Sequence, residues 1–182
     1  MSGIRVAIGA AALAMGFASA AQASWQDVAS RHDIERLGRL DEARSRAGAG
    51  DRETRPISER ELAGNWRCRT VKSGGPMPAI SYSWFHCRVS NRGGHLFFQK
   101  LSGSQRLAGY LYPHESGGFV LLGGWSVKGE PMHAYSGNGA SAGAQGTPDD
   151  AIGLLSGSGN GARIEFPYPG PESYYDVMEL RR

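Results

Sequence analysis

Residues 64–72 read GNWRCRTVK and residues 83–89 read SWFHCRV. Successive side chains of a strand point to opposite faces. In the first stretch Trp66, Cys68 and Thr70 share one face, and Arg67, Arg69 and Val71 share the other. In the second, Phe85, Cys87 and Val89 oppose Trp84, His86 and Arg88. Cys68 and Cys87 are the two cysteines of the chain. In an oxidising compartment an isolated pair is most simply one disulfide. Such a bridge puts Trp66 and Phe85 inside with it and gathers Arg67, Arg69, His86 and Arg88 outside. It closes a loop of 20 residues, counting both ends, and loop entropy gives such a bridge about 3 kcal/mol of stabilisation. Metal ligation and a free thiol are the alternatives. Metal would need further ligands near by, and only His86 is adjacent.

Downstream, short β-prone runs alternate with glycine-rich breaks. Strands are expected near Trp66–Lys72, Ser83–Val89, Leu96–Leu101, Leu107–Tyr112, Phe119–Gly123, Met132–Tyr135, Ile152–Leu155, Arg163–Phe166 and Tyr175–Leu180. Glycine supplies 27 of 182 residues, about twice the usual ~7%, and 17 of these lie between Gly93 and Gly161. The collagen period is absent, and four Trp, seven Tyr and six Phe can supply a core. Eight or nine short strands at near-regular spacing therefore read as a mainly β, antiparallel fold. A closed or nearly closed barrel is favoured over a sandwich. Phe119-Val120-Leu121-Leu122 is apolar on both faces, as a strand covered on both sides would be. Ser136 to Asp150 is Gly/Ala/Ser-rich and reads as a mobile loop.

Upstream, residues 1–23 read as a signal peptide. Arg5 is the only charge, an apolar run covers Val6 to Ala18, and Ala21-Gln22-Ala23 fits A-x-A cleavage. This predicts a periplasmic or secreted protein that does not span the membrane once mature. Residues 24–63 then hold an N-terminal α-helix and a flexible connector, and residues 64–182 the barrel-like domain. The helix is expected over Trp25 to about Ser45, with Ser30 a possible cap and Asp33 three residues on. Ala47 to Pro56 lacks periodicity, and Ile57 to Ala63 could form one more helical turn.

Net charge is +3, but its distribution is uneven. Between Leu62 and His114 there is no Asp or Glu, while Arg67, Arg69, Lys72, Arg88, Arg92, Lys100 and Arg106 fall there. That bias predicts a surface for phosphate, sugar-acid or lipid A groups, or for an acidic protein. The competing reading is that these charges solvate exposed strands and pair with acids elsewhere, such as Glu35 or Glu42. Nucleic acid is excluded by export and by the lack of a binding motif. Gly139-Ala140-Ser141-Ala142-Gly143 matches G-x-S-x-G, but a nucleophile elbow needs a strand before and a helix after. The five histidines show no metal spacing, and no cofactor is expected. Asp149-Asp150 could be a Ca²⁺ pair, although such loop carboxylates are usually just solvated. Lys100 shares a face with Leu96 and Phe98, and Asp176 with Met178 and Leu180. If those faces point inward, the two could pair or line a cavity; exposure at strand ends is the favoured alternative, since buried charge is costly.

Several segments together resemble an exported family called domain of unknown function 4893. They are Arg67-Cys68-Arg69, Trp84-Phe85-His86-Cys87, Lys100-Leu101-Ser102-Gly103-Ser104-Gln105-Arg106, Gly109-x-Leu111-Tyr112-Pro113 and Tyr175-Asp176-Val177-Met178-Glu179-Leu180. The resemblance covers most of the mature chain and implies no catalytic residue. It implies that Lys100–Arg106 is a signature segment, either a turn held for shape or a binding loop. Gly64-Asn65-Trp66 resembles the G-x-W of lipocalin-like barrels. That likeness implies structural roles for Gly64 and Trp66, with Trp66 plugging one barrel end under Arg181 or Arg182. Ser156-Gly157-Ser158-Gly159 and Gly161-Ala162-Arg163 resemble a loop of c-type lysozyme inhibitors, split here by an extra Asn-Gly.

The expectation is a monomeric, non-catalytic binding or inhibitor-like module for an anionic envelope component or a secreted protein. Arg67, Arg69, His86, Arg88 and, from the signature segment, Lys100, Ser102, Ser104, Gln105 and Arg106 are its candidate recognition residues. A structural envelope protein and a serine hydrolase working through Ser141 are the alternatives.

Overall fold

The computed structural model describes residues 23–50, 53–76, 78–137 and 146–182. The signal segment up to Gln22 and the Gly139–Gly143 match lie outside the described residues.

Among the described residues nine strands form one antiparallel sheet: β1 (Gly64–Ser73), β2 (Ile80–Ser81), β3 (Phe85–Arg92), β4 (His95–Lys100), β5 (Gln105–Pro113), β6 (Phe119–Val127), β7 (Asp150–Ser158), β8 (Gly161–Gly170) and β9 (Ser173–Arg181). Pairing of β1 with β9 closes eight of them into a barrel, and β2 is a short extension beside β1. Closure removes the exposed edges that an open sheet would present. Eight of the expected strands are present. Residues 132–135 are not a strand. This segment instead crosses the outside of β6 at Gly124, where an added Cβ would lie 2.5 Å from the His133 carbonyl oxygen. Tyr135 fixes it there by donating its hydroxyl to Asp33 at 2.7 Å and accepting from the Ser30 amide at 2.9 Å.

The inward residues fill the barrel. Trp66, Cys68, Cys87, Phe98, Leu107, Leu121, Leu155, Ile164, Phe166 and Met178 form one buried cluster, with Phe85 packed against it. The Cys68–Cys87 disulfide is present, with Cα atoms 5.9 Å apart. It joins neighbouring strands, since Trp66 faces Cys87 and Cys68 faces Phe85 in the β1–β3 register.

The helical stretch is divided into α1 (Trp25–Val28), α2 (Arg31–Gly38) and α3 (Leu40–Arg46). Ser30 breaks the first junction by capping α2, its hydroxyl accepting from the Asp33 amide at 3.2 Å. Arg39, at φ −97° and ψ 19°, breaks the second. The helices cover the outer face of the barrel. Trp25 and Leu37 bury Val120, Leu122 and Ile152, while Leu40 and Ala43 bury Tyr175 and Val177. The double-sided apolarity of residues 119–122 is thus explained, with Phe119 and Leu121 inside and Val120 and Leu122 under helices. Buried charge fastens the layer: Arg44 grips Glu165 at 2.9 and 2.8 Å, and the Tyr175 hydroxyl donates to the same carboxylate. In the connector, Arg55 pairs with Gly157 through two backbone hydrogen bonds. A single turn, α4 (Glu59–Leu62), leads into β1.

One barrel end is sealed. The Trp66 indole donates to the Leu62 carbonyl at 2.7 Å. The Arg182 guanidinium lies 4.1 Å from the Trp66 ring centroid and donates to the carbonyls of Glu61 and Ala63. Gly64 has φ +123°, and a Cβ there would lie 2.7 Å from Arg182 Nη1. Glycine is therefore demanded by both the backbone and the close approach. These are the parts implied by the lipocalin-like G-x-W likeness, with Arg182 rather than Arg181 over the tryptophan.

Candidate functional site

Two regions carry the charged side chains that the sequence singled out. The first is the outer wall of β1, β3 and β9. Arg67 faces His86 on one side and Arg181 on the other, Asn65 faces Arg88, and Arg69 faces Glu179. Alternation therefore brings Arg67, Arg69, His86 and Arg88 onto one wall, as the bridged strands require. Trp84, just before β3, lies among them half-buried. The guanidinium of Arg69 is 4.8 Å from its ring centroid and that of Arg181 is 3.9 Å away. Arg67 donates to the Trp84 carbonyl at 3.3 Å. Arg69 also pairs with Glu179 at 2.6 Å. Its acidic partner is thus on β9, and neither Glu35 nor Glu42 takes part. Among the described residues Arg67 and Arg88 make no ion pair, so three guanidinium groups, those of Arg67, Arg69 and Arg181, contact Trp84 with one carboxylate, Glu179, among them. A shallow groove of about 370 Å³ runs beside Trp84 and is flanked by Arg181, Arg182 and Asn160.

The signature segment does not join this wall. Lys100 points inward and is 6% exposed. Its ammonium donates to the Gln105 carbonyl and lies 4.3 Å from the Phe85 ring centroid. Burial, with the Arg106 charge near by, lowers its pKa to about 8. The turn above it is closed by structure. The His86 amide donates to the Ser102 hydroxyl at 2.8 Å, and the Ser104 carbonyl accepts from the Lys128 amide at 2.7 Å. Gly103 has φ +93°, and a Cβ there would lie 2.9 Å from Lys100 Nζ. Lys100, Ser102 and Ser104 thus shape the turn. Gln105 faces the barrel mouth and Arg106 faces Ser126 on the outer side.

The second region is that mouth, opposite the Trp66 end. It holds a cavity of about 380 Å³. Asp176 lies in its wall, 4% exposed, so the favoured reading of exposure at strand ends is overturned for both Lys100 and Asp176: both face inward, Asp176 lining the cavity and Lys100 bonding to Gln105 rather than to Asp176. The Asp176 carboxylate accepts from the Ser173 hydroxyl at 2.6 Å. Lys72 is its register partner across β1–β9, yet the Lys72 ammonium pairs with Glu172 at 2.6 Å. Burial raises the Asp176 pKa to about 6, against the opposing pull of Ser173 and Lys72. Thr70, Trp125 and Gln105 complete the inner lining, and Glu130, His133 and Asp149 stand at the rim. His133 lies 3.4 Å from Asp149.

The Asp149-Asp150 pair is divided in role. Asp150 is buried and accepts from the Ser136 amide and hydroxyl and from the Thr147 amide. It is a structural anchor for the loop ends. Among the described residues no group of three His, Cys, Asp or Glu side chains could hold a metal ion, and no helix is long and apolar enough to cross a membrane.

Sequence reasoning placed Trp84 on the outer face without assigning it a role. It overlooked Arg181 and Glu179 as parts of the wall, and Thr70, Lys72 and Trp125 as parts of the mouth. The signal for all of them is the β1–β9 pairing, which no local pattern reveals. No curated protein and no solved structure matches the chain. The segments quoted for the family resemblance fall on β1, β3, β5, β9 and the turn that closes the mouth, within one continuous match. Over residues 55–180 the chain belongs to the family described as Domain of unknown function (DUF4893).

Proposed function

We propose that this is an exported, non-catalytic binding module whose β9–β1–β3 wall recognises an anionic component of the cell envelope. The observation that carries the reading is the Trp84 ring contacted by the guanidinium groups of Arg69 and Arg181, with Arg67 on the Trp84 carbonyl and free of ion pairs among the described residues. Stacking holds the guanidinium planes while leaving N–H groups for phosphate or carboxylate oxygens, which arginine meets in bidentate fashion. The filled interior favours recognition on the outside of the barrel over a deep internal ligand. Export is supported by the Met1–Ala23 pattern and agrees with the Cys68–Cys87 bridge.

Co-sedimentation with vesicles tests this. The protein should bind phosphatidylglycerol vesicles, release them as salt is raised, and ignore phosphatidylcholine. A basic residue near an anionic surface contributes about 1 kcal/mol, so Arg67→Ala with Arg69→Ala should weaken binding by on the order of tenfold or more. Equal binding to both vesicle types, unchanged in the double variant, would overturn the reading. No binding to either would favour a wall that only solvates the sheet.

A further inference from the structure

We infer that the barrel mouth is a second, separate site that takes a small hydroxylated amine in its ammonium form, of the size of an aminohexose. The cavity of about 380 Å³ is at the small end of ligand pockets, which span ~300–1,000 Å³. Its charge is opposite to that of the outer wall. Glu130, Asp149, Glu172 and Asp176 line it against the single ammonium of Lys72. Lys72 is engaged by Glu172 and Asp149 stands against His133.

Asp176 is the group that asks for a ligand. A buried carboxylate is costly unless it is paired and hydrogen-bonded. Among the described residues the Ser173 hydroxyl is its one hydrogen-bond donor, and it binds a single oxygen. An ammonium N–H donated to the other oxygen would supply the missing partner. An anion would be repelled there, and an apolar ligand would leave the carboxylate unpaired. The hydroxyls of Thr70 and Ser173 and the amide of Gln105 offer further donors and acceptors for ligand hydroxyls. Trp125 packs against Phe166, ring centroids 5.7 Å apart, and also lines the cavity. An indole face suits both the C–H face of a sugar ring and a nearby cation. The site does not depend on the outer wall, which shares no lining residue with it.

Three sugars of one size test the inference at neutral pH: glucosamine, glucose and glucuronate. The readout is the NMR signal of each tryptophan indole N–H, with Trp125→Phe and Trp84→Phe assigning the two that matter. Glucosamine should shift the Trp125 signal saturably and leave that of Trp84 in place. Glucose should require at least about tenfold more sugar, and glucuronate should have no effect. Asp176→Asn can still accept from Ser173, and it should weaken glucosamine binding about tenfold. Glu130→Gln, at an exposed position, should weaken it about twofold. The inference falls if glucosamine gives no saturable shift, if glucose binds equally well, or if Asp176→Asn binds like the wild type. Should that variant not fold, the order of the sugars and the response of Glu130→Gln decide the matter. Trp84 reports the outer wall separately, so failure at one site is not read as failure at the other.

Discussion

The outer wall and the mouth draw opposite charge from the same two strands. On β1, Arg67 and Arg69 point out while Thr70 and Lys72 point in; on β9, Glu179 and Arg181 point out while Asp176 points in. A strand alternates faces at every residue, so a step of a few residues carries the chain from a cationic exterior to a carboxylate-lined interior. The physical settings differ as much as the signs. Charges on the wall sit in water, where salt screens them and each contributes little to the fold. Asp176 in the mouth is enclosed, so leaving it unpaired weighs on stability. Wall residues should therefore be replaceable with little effect on folding. Replacement of Asp176 should make the protein more stable, which is the pattern of a group retained for binding.

The largest expected effect separates the regions through the disulfide. Cys68–Cys87 ties β1 to β3, the strands that hold Arg67, Arg69, His86 and Arg88, while Asp176 lies on β9, four residues from Leu180, which faces Cys68. Reduction with alkylation should lower unfolding free energy by about 3 kcal/mol, read as a lower denaturant midpoint with a slope that rises as the unfolded chain loses its cross-link. Protein that stays folded should lose vesicle binding more than glucosamine binding. Equal loss at both would mean that the wall has no special dependence on the bridge.

The next effect concerns Asp176 alone. Its pKa is raised to about 6 from 3.8, chiefly by burial. The folded chain therefore holds this proton more tightly than the unfolded one. The stability contributed by the protonated group is fully present below about pH 4 and is lost as pH rises through about 6. Asn carries no charge and escapes that loss. Asp176→Asn should match the wild type near pH 4 and exceed it by about 2 kcal/mol at pH 8, where the ionised carboxyl bears its desolvation. Thermal melts across that range measure the gap. A gap that grows toward low pH would mean that Asp176 is stabilised as a carboxylate, and the contrast with the wall would disappear.

Much of the wall was legible in the sequence because a cysteine pair fixes the phase of two alternating strands. Once Cys68 and Cys87 face inward, Arg67, Arg69, His86 and Arg88 have no other place to go. The G-x-W segment announced the sealed end for a similar reason: Gly64 and Trp66 are local and adjacent. The mouth was less legible. Lys100 and Asp176 were placed on apolar faces, but whether those faces close on a cavity depends on β1 pairing with β9 more than a hundred residues away. The single helix expected over residues 25–45 failed for a local reason, since Ser30 is a better cap than a helix interior residue. Residues 132–135 look like a strand by composition, yet closure of the barrel leaves them no edge to pair with. They bind instead through Tyr135 to the cap of α2.

The smallest effect is the sharpest test of the wall, and it lies at Glu179. This carboxylate is the acid that faces Arg69, with both side chains about a third exposed. Exposed pairs contribute about 0–1 kcal/mol, so Glu179→Gln should leave stability within that range. Removing the acid should raise affinity for phosphatidylglycerol vesicles by roughly twofold to fivefold, in line with one unit of charge near an anionic surface. Glucosamine binding in the mouth should not change, because Glu179 does not line it. A fall in vesicle affinity would carry a different meaning. It would show that Glu179 acts by holding the Arg69 guanidinium against Trp84, so that geometry rather than summed charge sets recognition. Glu179→Asp separates the two: a shorter acid keeps the charge and loses the reach, so it should bind vesicles like the wild type if charge governs and more weakly if positioning does.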